Sequence, residues 1–187
     1  MQLFAGDLDI FHRGILLVAD AFIAQGFGFL SFLLAMLCFM QKDDRRLKLI
    51  MIVMNLNHAL HFYLLNAVTS SLCCLFSAAR TAVSIKSKAT WLACIFVTLT
   101  ALIGYFTVQQ WTDYIAVLGA CLGSYALFCL TGITMRWVLL SGSCLWLINN
   151  IIVGSIGGVL LETMVIVINL MTIYRLNEQR STLKESV

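Results

Sequence analysis

One arginine stands inside an otherwise uncharged apolar stretch. Arg80 sits in Ser77-Ala78-Ala79-Arg80-Thr81-Ala82-Val83, within a run from about Ser70 to Ile85. A guanidinium cannot shed its proton to ease burial, so its charge must be answered where it stands. An Arg at the centre of a membrane helix costs roughly 2.5–3.5 kcal/mol on insertion scales, and such residues face a protein interior or a wet cavity. Two chemistries fit. Arg80 either clamps the carbonyls and hydroxyls of neighbouring helices, or it holds an anion or polar substrate. Asn169, His58, His61, Asn150 and Trp146 are the further candidates for a substrate site, all inside apolar stretches. Trp146 either stacks on a ring-shaped substrate or packs as an ordinary membrane Trp.

At about 1.5 Å per helical residue these side chains sort into two layers. His61, Asn150 and Glu162 fall nearer the outer membrane surface. His58, Arg80 and Asn169 fall nearer the midplane, with Arg80 and Asn169 each roughly 16 Å from the outer ends of their helices. Glu162 therefore lies at the depth of His61 and not of Arg80. Two His on one helical face, with a carboxyl at the same depth, form the pattern of a proton relay. The plain alternative is a pair of hydrogen-bonding core imidazoles and a buried, protonated Glu162. His58 and His61 are only two ligands, short of a zinc site, so no metal is expected. No cofactor motif is present, and none is expected.

The elements that must position these residues are membrane helices. Of 187 residues, 61% are hydrophobic and 11% charged, against about 25% charged in soluble domains. Such a chain is an all-α polytopic membrane protein. The net charge of +3 reads as topology, with no basic aromatic face for nucleic acid. The seven cysteines, Cys38, Cys73, Cys74, Cys94, Cys121, Cys129 and Cys144, lie in apolar segments without metal spacing, as small buried side chains would. Residues 1–13 contain Asp7, Asp9, His12 and Arg13, so a cleavable signal is not expected and the first helix serves for insertion.

Hydropathy places seven spans. The first starts near Leu17 or Phe22, with Asp20 at its boundary, and ends at Met40. The others are Leu49–Leu65, Ser70–Ile85, Trp91–Val108, Tyr114–Leu130, Trp137–Val153 and Val159–Tyr174. Placing the 41–48 loop in the cytoplasm puts Lys42, Arg45, Arg46, Lys48, Lys86, Lys88, Arg136, Arg175, Arg180 and Lys184 inside, ten of the twelve basic residues. Arg13 lies outside and Arg80 within the membrane. This distribution predicts a periplasmic N-terminus and a cytoplasmic C-terminus.

The first three and last three helices read as copies of one unit. A shift of 91 matches Gly28 to Gly119, Ala35 to Ala126 and Cys38 to Cys129. A shift of 89 matches Leu56 to Leu145, Leu72 to Leu161 and Lys86 to Arg175. The expected organisation is one membrane domain over 1–187. A first three-helix repeat covers 14–88, a linker helix 89–111, a second repeat 112–176 and a cytoplasmic tail 177–187. Parallel repeats of this kind bind solutes near the midplane between their halves. Gly119 and Gly123 form a GxxxG pattern, read first as internal packing and second as a homodimer contact.

Several strings resemble the bacterial inner-membrane YgjV family over nearly the whole chain from about Ala24. They are Ala24-Gln25-Gly26, Asp44-Arg45-Arg46, His61-Phe62, Arg80-Thr81, Ala126-Leu127-Phe128-Cys129, Thr134-Met135-Arg136, Asn150, Gly154-Ser155-Ile156-Gly157-Gly158, Glu162 and Asn169. The resemblance implies the inner membrane of a Gram-negative bacterium and little about activity. A weaker similarity, to SWEET and PQ-loop transporters, rests on the 3+1+3 helix plan with Trp146 and Asn169. Asn57 and Arg80 depart from that pattern, as does the absence of proline. Hinges would then fall at Gly26, Gly28, Gly119 or Gly123. An Arg in place of a neutral amide favours an anionic or carboxylate-bearing solute over a sugar. Transport of a small polar or anionic solute is the leading expectation, and a non-transporting assembly, sensor or partner protein the rival. No nucleotide loop, hydrolase order or metal carboxylates support an enzyme.

Overall fold

The computed structural model describes residues 21–38, 40–41, 43–87 and 89–185. The amino-terminal lead, Asp20, Lys42 and Lys88 lie outside the described residues. Seven helices appear among them and no strands: α1 Ala21–Cys38, α2 Asp44–Leu64, α3 Val68–Lys86, α4 Trp91–Thr107, α5 Asp113–Cys129, α6 Gly132–Val153 and α7 Ile156–Glu185. By length and composition α1, α2, α3, α6 and α7 can each cross a membrane. The apolar α4 and α5 are shorter, at 17 residues, which is roughly 25 Å of helix and the lower end of a spanning length.

Local chemistry explains where the helices begin and end. Asp43 caps α2 by accepting the Arg46 N–H at 2.7 Å. Much of the charged stretch expected as loop is therefore the first turns of α2. Gly154 ends α6 in the left-handed conformation, φ +75°, the geometry glycine tolerates best. Its turn is short enough that Gly157 and Gly158 already belong to α7. Residues 132–136, expected between helices, open α6, and α7 continues past Tyr174 to Glu185, into the sequence expected as tail. Asp113 gathers the α4–α5 connection, its carboxylate accepting from the N–H groups of Gln109 and Gln110.

The helix neighbours follow from small side chains. α2 packs on α3, α5 on α6 and α6 on α7, while α4 bridges α3 and α5, which also touch directly. α3 buries Thr69, Ser70, Ser71, Cys73, Cys74, Ser77, Ala78, Thr81 and Ser84. Small residues let membrane helices approach closely, and hydroxyls find partners that lipid does not offer. Thus Thr69 donates to Thr107 O of α4, Ser70 to Asn149 Oδ1 of α6 and Ser71 to Ala59 O of α2. Phe96 of α4 stacks on Phe128 of α5 with centroids 5.9 Å apart. The outer surface shows Phe22, Leu33, Tyr105, Phe106 and Met171, as a lipid-facing surface should.

Each half seats a ring against a glycine. A Cβ on Gly28 of α1 would stand 2.8 Å from His61 Cε1 of α2, and one on Gly119 of α5 would stand 3.0 Å from Trp146 Cδ1 of α6. Gly119 is thus occupied by packing inside the chain, the first of the two readings of the GxxxG pattern.

Candidate functional site

A cavity of about 610 Å³ runs between the two halves. Every helix except α4 contributes to it. The linings are regular: Lys48, Met51, Asn55 and His58 on α2; Cys74, Ser77, Arg80 and Thr81 on α3; Met135, Arg136, Leu139, Gly142, Ser143 and Trp146 on α6. On α7, Leu161, Glu162, Val165, Ile168, Asn169 and Thr172 face in. These are steps of three and four, one face of a helix. From α5 come Gly119, Gly123 and Leu127, and from α1 Ala35 and Cys38.

Arg80 reaches across from α3 to α5. Its Nη1 donates to Ala120 O at 3.0 Å and to Ser124 Oγ at 3.1 Å, while its buried Nε has no protein partner. Gly123 makes room for this, since a Cβ there would lie 2.8 Å from Nη1. The guanidinium is clamped to α5 through Nη1, and Arg80 also lines the cavity.

Arg136 and Lys48 were read from the sequence only as topology-setting charges. Both line the cavity. Arg136 donates from Nη1 to Asn169 Oδ1 at 3.3 Å, and Lys48, buried, donates to Ser84 O at 3.1 Å. Helical spacing was the signal that could have found them: Lys48 falls on the face of His58, and Arg136 on the face of Trp146. Positive charge therefore lines the cavity from Arg80 to its Lys48 and Arg136 end.

The other end is closed by an aromatic wall and a polar seam. His58 stacks on His61 with centroids 5.3 Å apart, its edge meets Phe62 at 4.6 Å, and Phe62 lies 5.9 Å from Trp146. Beyond this wall His61 joins three segments. Its Nδ1 lies 2.6 Å from Ala24 O of α1 and its Nε2 2.6 Å from Ser155 Oγ in the α6–α7 turn. A carbonyl only accepts, so Nδ1 carries the proton and donates. Ser155 then donates to Nε2 while accepting from the Gly158 N–H at 3.0 Å. Gln25 adds a second clasp, donating to Gly154 O at 2.7 Å and accepting from the Ile156 N–H at 3.1 Å.

Of the residues singled out in the sequence, the cavity brings together Arg80, Asn169, His58, Trp146 and Glu162. His61 and Asn150 lie in the seam instead, both fully buried. Asn150 donates to Trp146 O at 2.8 Å and packs against Gly158. The expected juxtaposition of His61 with Glu162 does not form. His61 is engaged by Ala24 and Ser155, and the Glu162 carboxyl lies beside the Ser143 hydroxyl. Equal depth did not bring the two to the same face. Neither nitrogen of His58 has a hydrogen-bond partner among the described residues. Among the described residues no group of three metal-ligating side chains occurs.

A bundle of apolar helices around a polar, cation-lined cavity defines a polytopic integral membrane protein. The family profile described as "Imp-YgjV: Bacterial inner membrane protein" matches residues 22–180. A relative from Escherichia coli (strain K12), "Inner membrane protein YgjV", is 33% identical over 153 residues, covering 82% of this chain and 84% of the relative. The chain therefore belongs to the YgjV family of bacterial inner membrane proteins. No solved structure matches it.

Proposed function

We propose that this protein carries a small anionic solute across the inner membrane by alternating access between its two three-helix units. The N-terminus would be periplasmic and the C-terminus cytoplasmic. The observation that supports this is the cavity, about 610 Å³ within the bundle, with the Arg80 guanidinium only partly satisfied by protein. A partly buried cation with a buried, unpartnered donor is a costly way to fill space. It is a well-suited way to hold a carboxylate, which a guanidinium can grip with two parallel hydrogen bonds. Trp146 and His58 shape the inner end and Asn169 with Arg136 the other, and carriage rather than chemical conversion is the role this suits. In the proposed orientation the cavity extends to the cytoplasmic side and the His61–Ser155 seam closes the periplasmic side.

The test is ligand-dependent thermal stabilisation of the purified protein against lactate, succinate, benzoate, glucose and choline, followed by liposome uptake of any compound that binds. Carboxylates should raise Tm and enter the vesicles, and glucose and choline should do neither. Stabilisation by none of the carboxylates would favour a non-transporting membrane component.

A further inference from the structure

Glu162 is the acidic side chain among the described residues that line the cavity. Its setting is unusual for a carboxylate. The titratable and charged groups facing the same space are His58 and Lys48 from α2, Cys74 and Arg80 from α3, Arg136 from α6 and Cys38 from α1; α5 presents none there. The two guanidinium groups are engaged with other partners. Arg80 is directed at Ala120 and Ser124, and Arg136 at Asn169. The neighbour of the carboxyl is the Ser143 hydroxyl. A charged carboxylate held this way gains little, whereas a protonated one is neutral and can still hydrogen-bond.

The Arg80 site and Glu162 act on common ground. Both side chains line the one cavity. An anion bound at Arg80 would thus share a poorly screened cavity with Glu162. Two negative charges there repel, while an anion and a neutral carboxylic acid do not.

We propose that Glu162 is the proton-carrying residue of this cavity, binding one proton whenever an anion is bound at Arg80. The inference deepens the transporter reading and rests on it. Protonation of Glu162 removes the repulsion and admits the anion. Loss of that proton restores the negative charge and expels the anion. The proton comes from water on the side where the anion enters and returns to water where it leaves, so a monocarboxylate crosses without net charge. The sign follows by linkage: the bound state holds more protons than the empty one, so affinity is highest at low pH and falls as pH rises, by up to about tenfold per pH unit.

The experiment uses the full-length protein in nanodiscs with lactate, succinate and benzoate as probes. Affinity is measured between about pH 6 and pH 9, where the probes are largely ionised and the upper end favours an ionised Glu162 in the empty cavity. Proton uptake on mixing is followed with an indicator dye in weak buffer. At pH values where the empty cavity holds Glu162 ionised, wild type should take up about one proton per bound anion, and Glu162→Gln, a neutral mimic of the acid, should take up none and bind equally at both ends of the range. Proton uptake by wild type needs no variant, so a Glu162→Gln chain that failed to fold would leave the question decidable; zero uptake across the whole range, its alkaline end included, would overturn the proposal. Persistent pH dependence in Glu162→Gln that disappears in His58→Gln would move the proton to His58. Loss of all binding in a folded Glu162→Gln would overturn the proposal and make Glu162 a direct contact of the bound carboxylate. Absence of binding by all three probes to wild type would instead overturn the transporter reading itself.

Discussion

Arg80 of α3 lays its guanidinium against Gly123 of α5, where a Cβ would stand 2.8 Å from Nη1. The glycine provides the space through which α3 reaches Ala120 O and Ser124 Oγ. Gly123→Ala should therefore shift the forked end of a flexible side chain and leave the backbone in place. The protein should fold, and carboxylate binding should weaken by about tenfold to a hundredfold, the worth of one charge-assisted hydrogen bond of roughly 1.5–3 kcal/mol. Titration of a bound carboxylate by calorimetry checks this. Unchanged affinity would mean that the guanidinium position is not set by Gly123.

Gly157 differs because its neighbour is backbone. A Cβ there would run into the carbonyl carbon and oxygen of Gly28 where α7 crosses α1. Backbone cannot swing aside, so Gly157→Ala should lower folded yield and Tm, at an overpacking cost of roughly 1–3 kcal/mol or more. Gly26→Ala is the control, since a Cβ at Gly26 meets nothing within 4 Å. It should be neutral or slightly stabilising, as Ala is the better helix former. Equal Tm for the two variants would refute the close crossing.

The seam can be tested through His61 and Ser155. Ser155→Ala removes the hydroxyl at 2.6 Å and leaves Nε2 buried without its partner, at a cost of roughly 1–3 kcal/mol. In a His61→Leu background the same change should cost far less, because no imidazole remains to be stranded. A double-mutant cycle on thermal or denaturant stability measures the coupling. Additive costs would show that the two side chains do not support one another.

How legible this architecture was depends on which coordinate is read. Hydropathy reports where a chain enters and leaves lipid, so the helices and their order could be anticipated. Counting residues reports depth, and Arg80 with Asn169 do share one cavity. Depth says nothing of azimuth. His61 and Glu162 fall at one level, yet His61 turns toward Ala24 and Ser155 while Glu162 turns toward Ser143. Which way a helix rotates depends on its neighbours, and here on glycines such as Gly28 that make room for a ring. Lys48 and Arg136 were hidden for another reason. A basic residue at a helix end serves topology equally well whether it points to water or into the bundle, and only the packed helices decide between them.

Topology gives a prediction of its own. With all seven helices crossing, the basic residues of the 41–48 stretch, of the α3 end, of Arg136 and of the C-terminal segment would fall on one side. A reporter fused after Val187 should behave as cytoplasmic, and one placed before Met1 as periplasmic. A cytoplasmic N-terminus would require α4 or α5, at 17 residues each, not to cross the membrane.

The deciding substitution for the cavity is Arg80→Lys. Lysine keeps the charge and loses the planar fork. As a structural clamp, Arg80 holds Ala120 O and Ser124 Oγ through Nη1 alone, and the more compact ammonium of lysine would reach neither as well. As a ligand group, Arg80 would offer the guanidinium donors not taken by Ala120 and Ser124, and lysine has no second donor in a fixed plane to replace them. The two roles separate when stability and binding are measured on the same samples. Carboxylate affinity should fall by about tenfold or more, the cost of one charge-assisted hydrogen bond. The fall in Tm should be small, because one partly open cation replaces another. Arg80→Ala would not distinguish the roles, since it removes charge, packing and hydrogen bonds together. Wild-type affinity with a clearly lowered Tm in Arg80→Lys would overturn the binding role and leave Arg80 as the strut joining α3 to α5.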